Sequence, residues 1–249
     1  MEENFSIGEF IAGIVYLAVA ARLFRRGLRN GEVVERLLAG AFFFYGVSSV
    51  VYAMATLPRY ESMSTALDFV GRIVYCPTAV MMVMFTRRVF RKEESWATWL
   101  VWASPILLAV GIGGSVLFRG DWEGFSTSSP WFWLEWLGFT YPFAWAGTEA
   151  FVQYGQARRR VQLGLCAPLV CNRFLLWALF GTLQVCAFLV LFPQYANYET
   201  ENVFTVMWDV VYGGFLIGSI IMVWLVFFAP AFYKRWIGGR ALAANTLKA

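Results

Sequence analysis

The sequence of 249 residues contains no histidine, which removes the commonest general base and the commonest protein ligand of haem and zinc. Charge is scarce too: 14% of residues are charged, where a soluble domain carries about a quarter. Lysine occurs only as Lys92, Lys234 and Lys248. The four cysteines, Cys76, Cys166, Cys171 and Cys186, form no CxxC pair. Each sits in or beside an apolar run, where cysteine more often serves as a small buried hydrophobe than as a metal ligand or half of a disulfide. No nucleophile, base and orienting group form a legible constellation, so the chain does not read as an enzyme, and no metal or cofactor is expected.

What the sequence has in abundance is apolar surface, with 59% hydrophobic and 19% aromatic residues. Basic residues fall in short clusters between long apolar runs and the net charge is only +4, a poor match to a disordered chain or a nucleic-acid binder. A bilayer core about 30 Å thick needs roughly 20 apolar residues per helix. Seven runs of that kind are bounded by charge, approximately 7–24, 37–57, 64–86, 97–118, 131–154, 172–192 and 203–228. The expected fold is therefore an all-α integral membrane protein, a seven-transmembrane helix bundle over residues 1–235 followed by a short cytoplasmic tail, 236–249. The acidic leader MEENFS and the lack of a small-residue cleavage site after the first run mark it as a retained helix rather than a signal peptide.

Orientation follows from the basic clusters. Arg22, Arg25, Arg26, Arg29 and Arg36 fall in one loop, Arg87, Arg88, Arg91 and Lys92 in the next on that side. Arg158, Arg159, Arg160 and Arg173 border the third, and Lys234, Arg235, Arg240 and Lys248 follow the last span. The other loops hold only Arg59 and Arg119 beside Glu61, Asp121, Glu123, Glu199 and Glu201. The amino terminus is expected outside and the carboxyl terminus inside a cytoplasmic, inner membrane of bacterial type. Trp122, Trp131, Trp133 and Trp136 read as an interfacial belt or as a lid over an outward-facing pocket. No loop can hold a second domain, so a signal would leave through a partner, such as a cytoplasmic one on the basic inner loops, through those loops themselves, or through a further domain.

Ionisable residues inside spans mark functional sites by default. Asp68 and Arg72 lie one turn apart on the third span, roughly 6 and 12 Å below its outer boundary, and Tyr75 continues their face. Asp209 enters from the same side to about 9 Å, so an Asp68, Arg72, Asp209 cluster is allowed. Glu135 sits one turn into the fifth span and could join its rim, with Trp208, Tyr212, Tyr141 and Tyr45 available as walls. Near the other face Glu149 could form a structural pair with Arg173. The outer cluster reads as a small-ligand site, as a proton or ion path, or as a polar clasp that only fixes helix packing. Pro77, Pro105 and Pro142 permit kinks, and the small residues of GIGGS (111–115) and YGGFLIGS (212–219) permit close helix approach.

Seven spans with an external amino terminus resemble G-protein-coupled receptors and microbial rhodopsins. WDVVYGGF in the last span resembles the rhodopsin retinal helix, in which an aspartate precedes the Schiff-base lysine by four residues. The corresponding position here is Gly213, and all three lysines lie in inner loops or the tail, which argues against covalent retinal. The third span ends MFTRRVF instead of an acid, arginine and aromatic motif, and the seventh has no NPxxY. LDFVGRIVYCPTAVMMVMFTRRVFRK, with its Gly-Arg pair, proline and basic exit, is similar to the third helix of seven-helix sensor modules in bacterial signalling proteins. That likeness implies a receptor or sensor for a small ligand bound in the outer half of the bundle. A proton-coupled transporter or channel using Asp68, Arg72 and Asp209 and a membrane scaffold are the alternatives.

Overall fold

The computed structural model describes the backbone of residues 2–119, 129–196 and 203–246, and the side chains of 8–118, 129–191, 207 and 210–238. The described residues are helical almost throughout and include no strand. The helices are α1 (Glu2–Asn30), α2 (Val33–Ala55), α3 (Ser64–Phe90), α4 (Ser95–Gly114), α5 (Pro130–Gln162), α6 (Pro168–Ala196), α7 (Val203–Phe228) and α8 (Ala231–Thr246). A 3-10 turn, Pro58–Met63, leads into α3, and a π turn, Ser115–Arg119, follows α4. Each apolar run expected to be a span coincides with one of α1 to α7. Residues 236–246, the first part of the expected tail, are helical and belong to α8.

Five stretches are long and apolar enough to cross a membrane: Val33–Ala55, Pro58–Phe90, Ser95–Phe118, Pro168–Leu191 and Val210–Phe228. In α1 the apolar run is cut short by Glu9 at one end and Arg22 at the other. In α5 Glu135, Glu149 and Arg158 to Arg160 interrupt a stretch rich in Trp and Tyr, which count little towards hydropathy.

Short connections make chain neighbours antiparallel partners. Each of α1 to α6 packs on the helix that follows it, α7 returns to α1, α3 crosses to α5, and α8 lies against α6. Gly31, with φ of +69°, supplies the left-handed residue between α1 and α2, and the Arg26 to Glu35 ion pair at 2.6 Å ties their ends. Alternation of direction places the starts of α1, α3, α5 and α7 at one end and the arginine clusters at the other, the basic end.

Glycines set the tightest crossings. A Cβ on Gly181 of α6 would lie 2.6 Å from Gly147 Cα of α5, and one on Gly46 of α2 would lie 2.9 Å from the Gly13 carbonyl oxygen of α1. Backbones therefore touch where side chains would otherwise hold them apart. Within the two small-residue stretches noted in the sequence, Gly111 and Gly114 are pressed against α5, whereas Gly213 and Gly214 face open space. The core is aromatic: Tyr16, Phe42, Tyr45, Tyr75, Phe139, Phe143, Trp177 and Phe180 form one buried cluster among α1, α2, α3, α5 and α6. The outer face of α4 presents Trp99, Trp102, Ile106 and Val110 to its surroundings, as a helix against lipid would.

Candidate functional site

The third helix carries Asp68 and Arg72 on one face, and α5 brings Glu135 to the same place. Arg72 Nε lies 3.3 Å from Asp68 Oδ2, and Arg72 Nη1 lies 3.9 Å from Glu135 Oε1. Burial rises steeply along the cluster, with side-chain exposure of 43% at Asp68, 6% at Arg72 and 1% at Glu135. At 3.9 Å the second contact is an ion pair too long for a hydrogen bond, and Glu135 Oε1 has no hydrogen-bond partner among the described residues. An arginine buried this deeply needs compensating charge. Two carboxylates supply it, one reachable from outside and one sealed within.

Several contacts hold the cluster in place. Gly111 of α4 lies so close to α5 that a Cβ there would sit 2.6 Å from the Glu135 backbone nitrogen, so the backbone of α4 sets the position of Glu135. On the opposite side Ser48 of α2 donates to the Gly71 carbonyl at 2.9 Å. Cys76 donates its thiol proton to the Arg72 carbonyl at 3.3 Å, and the Arg72 guanidinium lies 5.5 Å from the centre of the Phe69 ring. Pro77 lacks the N–H that would bond the Ile73 carbonyl, so the helix is loosened one residue beyond Arg72.

Of the other residues expected in the cluster, Tyr75 is buried one turn beyond Arg72, with its ring edge-on to Tyr45 at 5.1 Å and to Phe139 at 5.0 Å. Among the described residues its hydroxyl has no hydrogen-bond partner of good geometry. Tyr212 is turned towards α1, where its hydroxyl donates to Glu9 Oε1 at 2.7 Å. The side chains of Trp208 and Asp209 lie outside the described residues, so the expected Arg72 to Asp209 approach is not among the contacts described. Tyr45 donates to Gln184 Oε1 at 2.7 Å, and Tyr141 donates to the Leu100 carbonyl, next to the Val101 carbonyl that Pro105 leaves without its helical donor. In the aromatic series Trp131 stacks on Phe118 and covers Gly114, while Trp136 donates to the Phe188 carbonyl at 3.1 Å. Trp122 lies outside the described residues.

The expected pairing of Glu149 with Arg173 is not among the contacts described. Glu149 Oε1 accepts from Arg91 Nε at 2.7 Å and from Trp145 Nε1 at 3.2 Å. The reason is helix register. Gly147 and Gly181 are level where α5 crosses α6. From that level Glu149 lies about 3 Å towards the basic end and Arg173 about 12 Å, leaving roughly 9 Å of axial offset. Arg91, just past the end of α3, is at hand instead. The hydrogen bond that Arg91 donates to Glu149, and the negative charge of that carboxylate, raise the Arg91 pKa above its ordinary value, so the pair keeps its positive member at any physiological pH.

A second polar group, not foreseen, occupies the centre. Gln184 of α6 accepts from Tyr45 and donates from Nε2 to Ser219 Oγ at 2.9 Å and to the Tyr16 hydroxyl at 3.3 Å. Tyr16 and Ser219 are themselves 3.0 Å apart, and Ser219 donates to the Leu216 carbonyl at 2.7 Å. Glu9, two turns from Tyr16 on α1, is buried beside Tyr212 and Ser49. The signal for Glu9 was present as an acid inside the first apolar run. Gln184 is uncharged, and only its lone polarity within FGTLQVCAFLV could have singled it out. Against this geometry, no protein-family model, no curated protein and no solved structure matches the chain.

Proposed function

We propose that the chain is a multi-pass membrane protein in which all of α1 to α7 span the bilayer, with the amino terminus outside and the basic end in the cytoplasm. On this reading it is a receptor or sensor of a small ligand, akin in arrangement to seven-helix sensor modules. The five apolar stretches support membrane insertion. The packing of α1 on α2 and α7, and of α5 on α3, α4 and α6, makes both helices partners of those stretches and supports seven spans. The arginine clusters at one end support the orientation.

The observation that carries the site is the graded burial of Asp68, Arg72 and Glu135. A purely structural clasp gains nothing from leaving one carboxylate open, whereas a binding site needs an entrance and a sealed floor. Two carboxylates face one guanidinium, so the ligand carries a cationic or hydrogen-bond-donating group that enters beside Asp68. Binding biases α3 against α5, and the α3 exit, tied to α5 through Arg91 and Glu149 at the basic end, passes that bias to a cytoplasmic partner.

Native mass spectrometry of gently purified protein tests this reading. A retained small molecule, lost in Asp68→Asn and Glu135→Gln variants that keep the wild-type unfolding midpoint, supports a binding site. Ligand-free protein with variants altered only in stability means a clasp. The same gradient of burial favours one second reading, a proton path from Asp68 to Glu135. In proteoliposomes, pH-driven flux abolished by Glu135→Gln would replace the sensor with a transporter.

A further inference from the structure

Glu9 differs from every other buried acid described in this protein. Glu135 and Glu149 each face an arginine, and so does the half-open Asp68. Glu9 is 5% exposed, and no ion pair reaches it among the described residues. Its neighbours are hydroxyls: Tyr212 donates from α7 at 2.7 Å, and the Ser49 hydroxyl of α2 lies nearby. The titratable groups within electrostatic reach are Tyr16 of α1, Tyr45 of α2 and Tyr75 of α3. From α6 comes the uncharged Gln184, and Asp209 of α7 stands three residues before Tyr212 with its side chain outside the described residues. Three basic side chains are not described, Arg119, Arg240 and Lys248.

A carboxylate without a countercharge is costly in a low-dielectric interior and takes up a cation of some kind. The space left decides which. The Tyr212 hydroxyl stands 2.7 Å from one carboxylate oxygen and Glu9 is only 5% exposed, which leaves little room beside it for an organic ammonium. A metal ion gathers several oxygen ligands, and two hydroxyls are a thin set. We propose that Glu9 is a reversible proton-binding site, set in the clasp that joins α1 and α7.

The clasp has a defined register. Glu9 pairs with Tyr212 and, seven residues further on each helix, Tyr16 pairs with Ser219, so α1 and α7 run parallel and level over two turns. With its proton, Glu9 is a neutral hydrogen-bonding group and the clasp is closed. Without it, a bare negative charge stands among α1, α2 and α7, and water must enter between α1 and α7 to solvate it. Protonation of Glu9 thus selects the closed arrangement. This inference needs α1 to lie in the membrane interior, but it does not depend on the Arg72 cluster binding a ligand.

Infrared titration of the full chain in lipid nanodiscs tests the proposal. The expected result is a protonated-carboxyl C=O band that falls as pH rises, absent in Glu9→Gln and retained in Glu135→Gln. Tyr212→Phe keeps Glu9 but removes a donor that favours its charged form, so the midpoint of that band moves up by about one pH unit or more. This second variant decides the matter even where Glu9→Gln does not fold. A wild-type spectrum indistinguishable from that of Glu9→Gln, a Glu9 band constant over the whole range of folded protein, or an unmoved midpoint in Tyr212→Phe each overturns the proposal. So does a band whose amplitude at fixed pH follows sodium concentration, which would make the site a metal-cation site.

Discussion

Arg72 is held by two acids of very different character, and a double-mutant cycle separates them. Arg72 and Glu135 are 3.9 Å apart and both are buried, which at an effective dielectric near 20 corresponds to about 4 kcal/mol of Coulomb attraction. Desolvation offsets much of that, so the net worth of the pair is small while the cost of breaking it is large. Arg72→Met leaves Glu135 buried and unmatched, and the expected loss of stability is about 3–5 kcal/mol. Removing Glu135 as well, as Arg72→Met with Glu135→Leu, restores most of that loss because no buried charge is left over. Asp68→Asn behaves differently: at 43% side-chain exposure its ion pair is screened by solvent, and the expected cost is about 1 kcal/mol or less. Equilibrium unfolding in mixed micelles, followed by far-UV circular dichroism, yields all four corners of the cycle. The interaction energy between Arg72 and Glu135 should exceed about 2 kcal/mol. Additive losses, equal to the sum of the single variants within about 0.5 kcal/mol, would show that the two side chains are not coupled and that α3 and α5 do not meet as described.

Other expectations follow from contacts elsewhere in the bundle. Gly181→Ala forces a Cβ to within 2.6 Å of Gly147 Cα, so α5 and α6 must separate, and unfolding experiments should find a loss of about 1–3 kcal/mol. Gly213→Ala meets nothing within 4 Å and should be neutral or stabilising by up to about 1 kcal/mol; equal effects at the two sites would contradict the packing. At the basic end, Glu149→Gln and Arg91→Gln should lower the thermal midpoint together and without additivity, while Arg173→Gln leaves it unchanged. A drop for Arg173→Gln alone would favour the pairing of Glu149 with Arg173 expected from the sequence. For the proposed orientation, a cysteine introduced at Asn30 should resist a membrane-impermeant maleimide in intact cells, and ready labelling would invert the topology.

The helices themselves were legible in the sequence, because the length of an apolar run and the charges that end it are local properties. The run at 203–228 and the helix Val203–Phe228 agree end for end, and the run at 64–86 stops short of Phe90 only because basic residues near a helix end were taken as its boundary. The pairing of Asp68 with Arg72 was legible for the same reason, since a spacing of four fixes it within one helix. Contacts between helices were legible only in part. Glu135 could be placed at the rim of the Arg72 cluster from depth alone, yet depth did not show that it would be the sealed member and Asp68 the open one. Glu149 was assigned to Arg173 because both lay near the same face, and the choice fell to Arg91 through an axial offset created by the Gly147 and Gly181 crossing. Glu9 was not singled out within the first apolar run, and it is an interior group because α7 returns to α1 and covers it. Burial and charge pairing across helices depend on the rotation and height at which each helix meets its neighbours. Those are set by close-packed glycines and aromatic rings far apart in the chain, and no local pattern of residues encodes them.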